Sequence, residues 1–477
     1  MMLTNHRPHR RVNRTEIPML FTQYYLDCLS QASYLVGDET TGQAVVVDPR
    51  RDIDDYLADA AAAGLTIVGV INTHFHADFV SGHLELAEAT GAWIGYGDAA
   101  APEFAHRALA DGERIGLGDV TLEIMATPGH TPESISVLVF EHAGDDTAYG
   151  VLTGDALFIG DVGRPDLLAS VGVSAEELGR MLHDSIQRRL MGLDDAVRVF
   201  PAHGAGSACG KNLSTEKQST IGEQRRFNYA CQPMSVEDFL VVVTEGQPSA
   251  PAYFLYNATL NKQERAIREL GEAIPALDDA AVDAALADGA VLHDARPAME
   301  FAAGHLGGAV SVPADGRMAE TAGMVLRPER PIVVMAPDGQ DQQVALRLAR
   351  IGFDRVLGYV ADPEAYLLAH ADRVRQASRL TVAQANAAIV GGVVQVVDIR
   401  NPGETAGGTL PGARTIPLPE LPRRLGELDL RRPVLLYCAG GWRSSVGASL
   451  LRANGFGDVS DLLGGYNAWA SAHPIAS

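Results

Sequence analysis

Cysteine is scarce in this chain: Cys28, Cys209, Cys231 and Cys438 are the only four in 477 residues, and no two form a CxxC pair. So thin a supply excludes a disulfide framework and suits a reducing compartment in which single thiols stay free to react. Positive charge is also short, with 38 Lys and Arg against 60 Asp and Glu, a formal charge of −22. A surface of that sign repels phosphate backbones and anionic lipid, so neither nucleic acid nor a membrane is expected as a partner. No run approaches the roughly 20 apolar residues that span a bilayer. Arg7, Arg10, Arg11 and Arg14 crowd the N-terminus, but no apolar stretch of signal-peptide type follows them. Residues 1–17 read as a mobile basic tail, with a transit peptide the minor alternative, and the expected location is the cytoplasm.

What is present reads as several globular α/β units, because the length exceeds what one hydrophobic core supports. From Met19 to about residue 245, β-rich runs such as Ala44–Asp48, Ile67–Ile71, Ser136–Phe140 and Val197–Phe200 alternate with helical ones. Ile53 to Ala63 reads as a helix closed by Gly64, and Gly82 to Thr90 as one closed by Gly91. After about residue 275 the chain repeats itself. Asp294-Ala-Arg296 is matched by Asp398-Ile-Arg400, and Gly304–Pro313 by Gly408–Pro417. Pro331–Met335 likewise matches Pro433–Tyr437, and Gly352-Phe353 matches Gly455-Phe456. The expected domains are 18–260, 275–375 and 378–475, with linkers around 245–275 and 374–380.

Thr73-His74-Phe75-His76-Ala77-Asp78 follows the apolar run Val68–Asn72. On an extended strand end, side chains two apart point the same way, so His74 and His76 can reach one centre. Three further segments share this character: Thr127-Pro-Gly-His130, Leu152-Thr-Gly-Asp155 and Phe200-Pro-Ala-His203. Each leads a β-rich run into a Gly- or Pro-containing turn that presents a His or an Asp. Loops at strand ends are where α/β scaffolds place their sites. Satisfied turn histidines are the plainer reading of any one segment; the ordered set favours a metal.

In this order the segments resemble the metallo-β-lactamase superfamily, whose fold is an αββα sandwich and whose metal ligands come from HxHxDH, a later His, a bridging Asp and a final His. Phe79 stands where the last His of HxHxDH would be. A dinuclear hydrolase uses that imidazole to fix a second ion; a mononuclear site does not need it. Two histidines and a carboxylate are the set that suits non-haem Fe(II) with positions left open. Asp161-Val-Gly-Arg164-Pro-Asp166 and Ser30–Val36 look similar to the persulfide dioxygenase branch. That resemblance implies one Fe(II) per chain held by His74, His130 and Asp155. His76, Asp78 and His203 would then orient the ligands or hold a water. The choice of His74 over His76 follows the family pattern, not the spacing. Arg164, Arg225 and Arg226 are candidates for binding the carboxylates of a thiol carrier, with plain surface charge the equal alternative.

Cys438-Ala-Gly-Gly-Trp-Arg443 follows the apolar run Val434–Tyr437 and precedes a helix-like stretch. A thiol there can sit among backbone N–H groups, with a helix N-terminus and Arg443 adding positive potential. The loop resembles the rhodanese active loop, with Cys438 as sulfur-carrying nucleophile. In the preceding repeat the slot reads Met335-Ala336-Pro337, so that copy carries no thiol and is expected to be structural, with Asp294 and Arg296 serving the fold. Cys209, close to His203 and Lys211, is expected to be a reactive thiol that takes a persulfide near the metal; a passive loop cysteine is the plainer alternative. Cys28 and Cys231 read as packing residues.

Taken together, the chain resembles multidomain persulfide dioxygenase–rhodanese fusions. The resemblance implies oxidation of a low-molecular-weight persulfide, of glutathione, coenzyme A or a similar thiol, by O2 to sulfite, followed by sulfur transfer giving thiosulfate. A homo-oligomer is expected. The rivals are a glyoxalase II-type thioester hydrolase and a non-enzymatic sulfur carrier or persulfide sensor.

Overall fold

The computed structural model describes residues 19–167, 172–267 and 273–473; the basic tail expected over residues 1–17 lies outside them. Two six-stranded sheets begin the chain. The first runs, edge to edge, Met19–Leu26, Gln31–Asp38, Gln43–Val47, Thr66–Ile71, Trp93–Gly97 and Arg107–Leu109. The second runs Ser219–Thr220, Arg198–Pro201, Gly150–Gly154, Ile135–Phe140, Thr121–Ala126 and Arg114–Gly116. Val36, Val45 and Ile71 of the first meet Leu122, Val137, Val139 and Phe200 of the second in a shared core. Helices Asp54–Ala62 and His83–Thr90 cover the outer face of the first sheet through Tyr56, Ala60 and Leu86. Helices Ala175–Asp184 and Val236–Thr244 cover the second through Leu182 and Phe239. The result is the expected αββα sandwich. Strand Gln31–Asp38 is buried along its whole length, so its polar side chains are satisfied internally: Gln31 donates to the Asp48 carbonyl and the Ser33 hydroxyl meets that of Tyr56.

Local signals account for the element ends. Gly91 closes helix His83–Thr90 with φ 73° and an N–H donated to the Ala87 carbonyl, a conformation that costs other residues far more. Ser174 opens Ala175–Asp184 by accepting the Glu177 N–H.

The repeat appears as two five-stranded parallel sheets of identical order. One runs Ala276–Leu277, Val356–Val360, Ile332–Met335, Val291–Asp294, Val310–Ser311; the other runs Ser378–Leu380, Val459–Leu462, Val434–Tyr437, Gln395–Asp398, Arg414–Thr415. The likeness extends to atoms. Arg296 pairs with Asp294 at 3.0 and 2.6 Å and donates to the Gly304 carbonyl. Arg400 pairs with Asp398 at 3.0 and 2.7 Å and donates to the Gly408 carbonyl. Each pair ties the end of a strand to the loop that follows it.

One expectation fails in a useful way. The segment 245–275, read as a linker, holds helix Tyr253–Leu260, whose Tyr253, Phe254, Asn257 and Ala258 are buried. Its rings join one apolar cluster with Phe79 and Phe158 of the sandwich and Met318 and Val334 of the first repeat. Gly, Pro and Ser at 246–251 mark a turn; the aromatic residues after them are what the neighbouring units demand. An ion network reinforces the seam: Arg51 pairs with Glu85 at 3.0 Å and Asp354 at 2.6 Å, Arg265 shares Glu85, and Arg350 meets Asp52. No helix among the described residues is long and apolar enough to cross a membrane.

His293, buried in strand Val291–Asp294, donates Nε2–H to the Val312 carbonyl at 2.9 Å. Burial pushes its pKa down from 6.5 to about 4. The unfolded chain therefore takes up a proton that the folded chain refuses, and the stability His293 contributes is full above pH 6.5 and lost as pH falls toward 4. The difference is worth about 3 kcal/mol. Thermal unfolding should show Tm declining over this window, and His293→Gln should flatten part of the decline; an unaltered slope in the variant would contradict the assignment.

Candidate metal centre

Strand Thr66–Ile71 delivers the chain into a turn at Thr73, and Asp48 holds that turn from the end of strand Gln43–Val47. Asp48 has a left-handed backbone, φ 52°. Its carboxylate accepts the Thr73 N–H at 2.7 Å, the Thr73 hydroxyl at 2.9 Å and His76 Nε2–H at 2.8 Å. Since the Thr73 hydrogen points at Asp48, its oxygen accepts from His74 Nδ1–H at 3.0 Å, which leaves the His74 Nε2 lone pair free. His130 Nδ1–H donates to the Arg164 carbonyl at 2.9 Å, and His203 Nδ1–H to the Ser30 carbonyl at 3.3 Å. Fixing one ring nitrogen in this way aims the other, unprotonated, at a common point.

That point is the Asp155 carboxylate. Its Oδ2 lies 3.5 Å from His130 Nε2 and 3.9 Å from His74 Nε2, and its Oδ1 lies 3.4 Å from His203 Nε2. His74, His130 and Asp155 form one buried group whose donor atoms all lie within 4.8 Å of one another. His76, Asp78 and His203 form a second, and Asp155, His203 and Cys209 a third. Both Asp155 oxygens, Asp78 Oδ1, His76 Nδ1 and His203 Nε2 are buried without a hydrogen-bond partner among the described residues. Unpaired polar atoms are rare in native cores, and so many converging lone pairs fit a cation.

The electrostatics agree. Burial, aided by Asp78, raises Asp155 to about 6, and burial likewise raises Asp78 to about 6. Burial drives His74 well below its usual range, with His76 and His130 adding repulsion, and drives His130 down to about 4. The His74 and His130 imidazoles are therefore neutral, as ligation requires, while the Asp48 carboxylate outweighs burial and raises His76.

Sequence reasoning missed two clamps on this turn. Asp48 had no signal beyond following an apolar run. Asn261 comes from the segment taken for a linker: it accepts the Ser81 N–H and donates to the His76 and Phe79 carbonyls. Phe79 itself is buried, its ring 4.4 Å from that of His76, and it offers the centre no ligand atom.

Two expectations are corrected. Arg164 does not face a substrate: its side chain is buried, with Nε and Nη2 on the two Asp166 oxygens at 2.7 Å and Nη1 on the Ala208 and Pro248 carbonyls. With four of its five N–H donors engaged it serves as a strut, and its carbonyl orients His130. Lys211 does not activate Cys209, because Nζ donates to the Val242 and Glu245 carbonyls. Burial, with the Asp78 and Asp155 carboxylates adding to it, pushes the Cys209 thiol well above its usual range. Cys209 is an enclosed, protonated thiol beside Asp155.

Cys438 ends strand Val434–Tyr437, just before helix Trp442–Ala453. Its sulfur accepts the Gly441 N–H at 3.1 Å and lies 3.6 Å from the Ser444 hydroxyl. Gly441, with φ 94°, makes the turn that aims this N–H. Arg443 reaches the thiol's surroundings but is held by Glu404 at 2.7 and 2.5 Å. Ala336 occupies the corresponding place in the first repeat and is buried. Cys438 and Arg443 line a cavity of about 930 Å³. Its far walls are Ser207, Ala208 and Gly210 of the Cys209 loop, and Arg317 and Glu320 of the first repeat. Cys231 packs in the core of the second sheet, and Cys28 lies at the seam, 3.8 Å from Arg350 Nη1.

Comparison with known proteins agrees with this anatomy. Residues 26–203 match the metallo-beta-lactamase superfamily, and residues 278–364 and 381–472 each match the rhodanese-like domain. A crystal structure of a metallo-beta-lactamase from Staphylococcus aureus superposes with a TM-score of 0.65 at 31% identity, covering 72% of this chain and 98% of that one. Persulfide dioxygenase ETHE1, mitochondrial, of Homo sapiens is 26% identical over 227 residues, 47% of this chain and 81% of its own length. Hydroxyacylglutathione hydrolase of Rhodospirillum rubrum is 35% identical over 172 residues, 36% of this chain and 60% of its own length. The chain belongs to the metallo-β-lactamase superfamily, as a fusion in which one such domain, homologous to persulfide dioxygenase ETHE1, precedes two rhodanese-like domains.

Proposed function

We propose that this chain is a non-haem Fe(II) persulfide dioxygenase coupled to a sulfurtransferase. The observation that carries the reading is the pairing of two features: a buried two-histidine, one-carboxylate group, His74, His130 and Asp155, and a rhodanese thiol, Cys438, whose cavity borders the loop beside it. Fe(II) held by those three residues would leave positions open for a persulfide sulfur and O2 and supply the electrons that activate O2. The overall change is RSSH + O2 + H2O → RSH + H2SO3, in which the terminal sulfur is oxidised. The chain's own residues bury the site, exclude bulk water and keep the imidazoles neutral.

At Cys438 a second persulfide gives RSSH + Cys-SH → RSH + Cys-SSH, and then Cys-SSH + SO3²⁻ → Cys-SH + S2O3²⁻. The Gly441 N–H and the start of helix Trp442–Ala453 stabilise the thiolate that leaves in the second step. Glutathione, coenzyme A or a similar thiol would carry the persulfide.

One observation favours a second reading, two-metal thioester hydrolysis: His76, Asp78 and His203 also lie together. Against it, Phe79 supplies no imidazole, and Asp48 takes His76 Nε2.

Anaerobically purified protein should carry one iron per chain and consume O2 with glutathione persulfide. Two zinc ions per chain and thioester cleavage without O2 uptake would instead establish the hydrolase. Cys438→Ser should retain O2 consumption and release sulfite, with thiosulfate lost; unchanged thiosulfate would remove Cys438 from the pathway. Asp48→Ala, which frees His76 and the Thr73 turn, should weaken metal affinity by about 10–100-fold, read by titration with a competing chelator.

A further inference from the structure

Between the metal-binding group and the Cys438 cavity lies a small void of about 10 Å³, walled by Asp78, Tyr253, Ser207, Ala208, Arg317 and Glu320. The last four also line the large cavity, so the void is the place where the two spaces meet. It holds at most one water-sized atom. Three buried polar atoms around it lack partners among the described residues: the Tyr253 hydroxyl, Arg317 Nε and, on the metal side, Asp78 Oδ1. Tyr253 is 1% exposed, so its hydroxyl has no recourse to bulk solvent.

Arg317 precedes helix Met318–Val325 of the thiol-less domain and pairs with Glu320. Its guanidinium lies against Gly206 of the Cys209 loop, where a Cβ would meet Nη1. The Arg317 side chain is 34% exposed, so it can swing into the cavity without unpacking the core. Of the two unpaired groups other than Asp78, an arginine N–H donates only, and a phenol donates readily to an anion. Such donors prefer oxygen acceptors, since sulfur is a weak one. The Asp78 and Glu320 carboxylates on the same walls oppose an anion and the closed void admits no more than a water, so the ligand these donors can take is a compact oxoanion that enters only as it draws Arg317 away from Glu320.

We propose that Arg317 and Tyr253 form an oxoanion-binding throat between the metal-binding group and the Cys438 cavity, taking sulfite as Arg317 exchanges Glu320 for the incoming anion. The thiol-less rhodanese-like domain thereby supplies the door between the two sites. The identity of the anion rests on the function proposed above; the throat itself rests on the geometry alone.

Two measurements on full-length, metal-free protein carrying Cys438→Ser test this without using O2 uptake. Sulfite titrated calorimetrically should bind, with affinity falling about tenfold in Arg317→Met, the scale of one charge contact near a surface, and falling less in Tyr253→Phe; absence of binding, or equal binding in all three, overturns the proposal. Cys209 alkylation at one fixed pH, followed by peptide mass spectrometry, reports passage as the ratio of the iodoacetate rate to the iodoacetamide rate, in which the ionisation of the thiol cancels. Glu320→Gln, which releases Arg317 without removing it, should raise that ratio. Arg317→Met should lower it, and Arg317→Lys should restore it. An identical ratio in every variant would overturn the door. A chain that passes both tests yet consumes no O2 with persulfides would keep the throat and lose the dioxygenase.

Discussion

The metal-binding group depends first on one carboxylate. Asp48 adopts a left-handed backbone at the end of its strand and accepts three hydrogen bonds from the neighbouring turn. That conformation is costly for a residue with a side chain and persists only where its surroundings over-determine it. The three bonds together set the path of the chain through Thr73, the tautomer of His74 and the orientation of His76. Asn261 closes the same turn from the other side. The histidines are thus presented by a rigid turn clamped at both ends, and the absence of partners for Asp155 is tolerated because everything around it is held.

The second constraint is the seam between units. A single apolar cluster runs from Phe79 and Phe158 through Tyr253 to both rhodanese-like sheets, and ion pairs cross from the sandwich to the first repeat. The thiol-less repeat carries the Asp294–Arg296 brace with Ala336 in the nucleophile's place. It packs against the metal-binding turn, where Val80 N–H donates to the Arg350 carbonyl. Phe79 makes sense in this setting: the position that offers an imidazole in a two-metal site here packs toward the seam.

The two thiols of interest sit in opposite fields. Cys209 is enclosed among carboxylates that oppose its ionisation, whereas Cys438 meets a backbone N–H and a helix start. Proximity in sequence pointed to Lys211 as a partner for Cys209, yet that ammonium turns to carbonyls thirty residues on. Arg164 failed as a binding residue for a related reason: an arginine in a Gly- and Pro-rich turn looks exposed in sequence, but Asp166 and two distant carbonyls consume its donors.

Much was legible from the chain alone because it is written locally. The αββα alternation, the repeat, the four turns carrying His74, His130, Asp155 and His203, the missing imidazole at Phe79 and the missing thiol at Ala336 are all short patterns. Their periods and turn residues follow from backbone geometry. What only tertiary structure decided involves residues far apart in sequence: Asp48 with His76, Asn261 with Phe79, Tyr253 with Arg317, and a cavity joining the Cys209 loop to Cys438. Hydrogen bonds and burial at such separations depend on how sheets and helices stack, and no local pattern records that stacking.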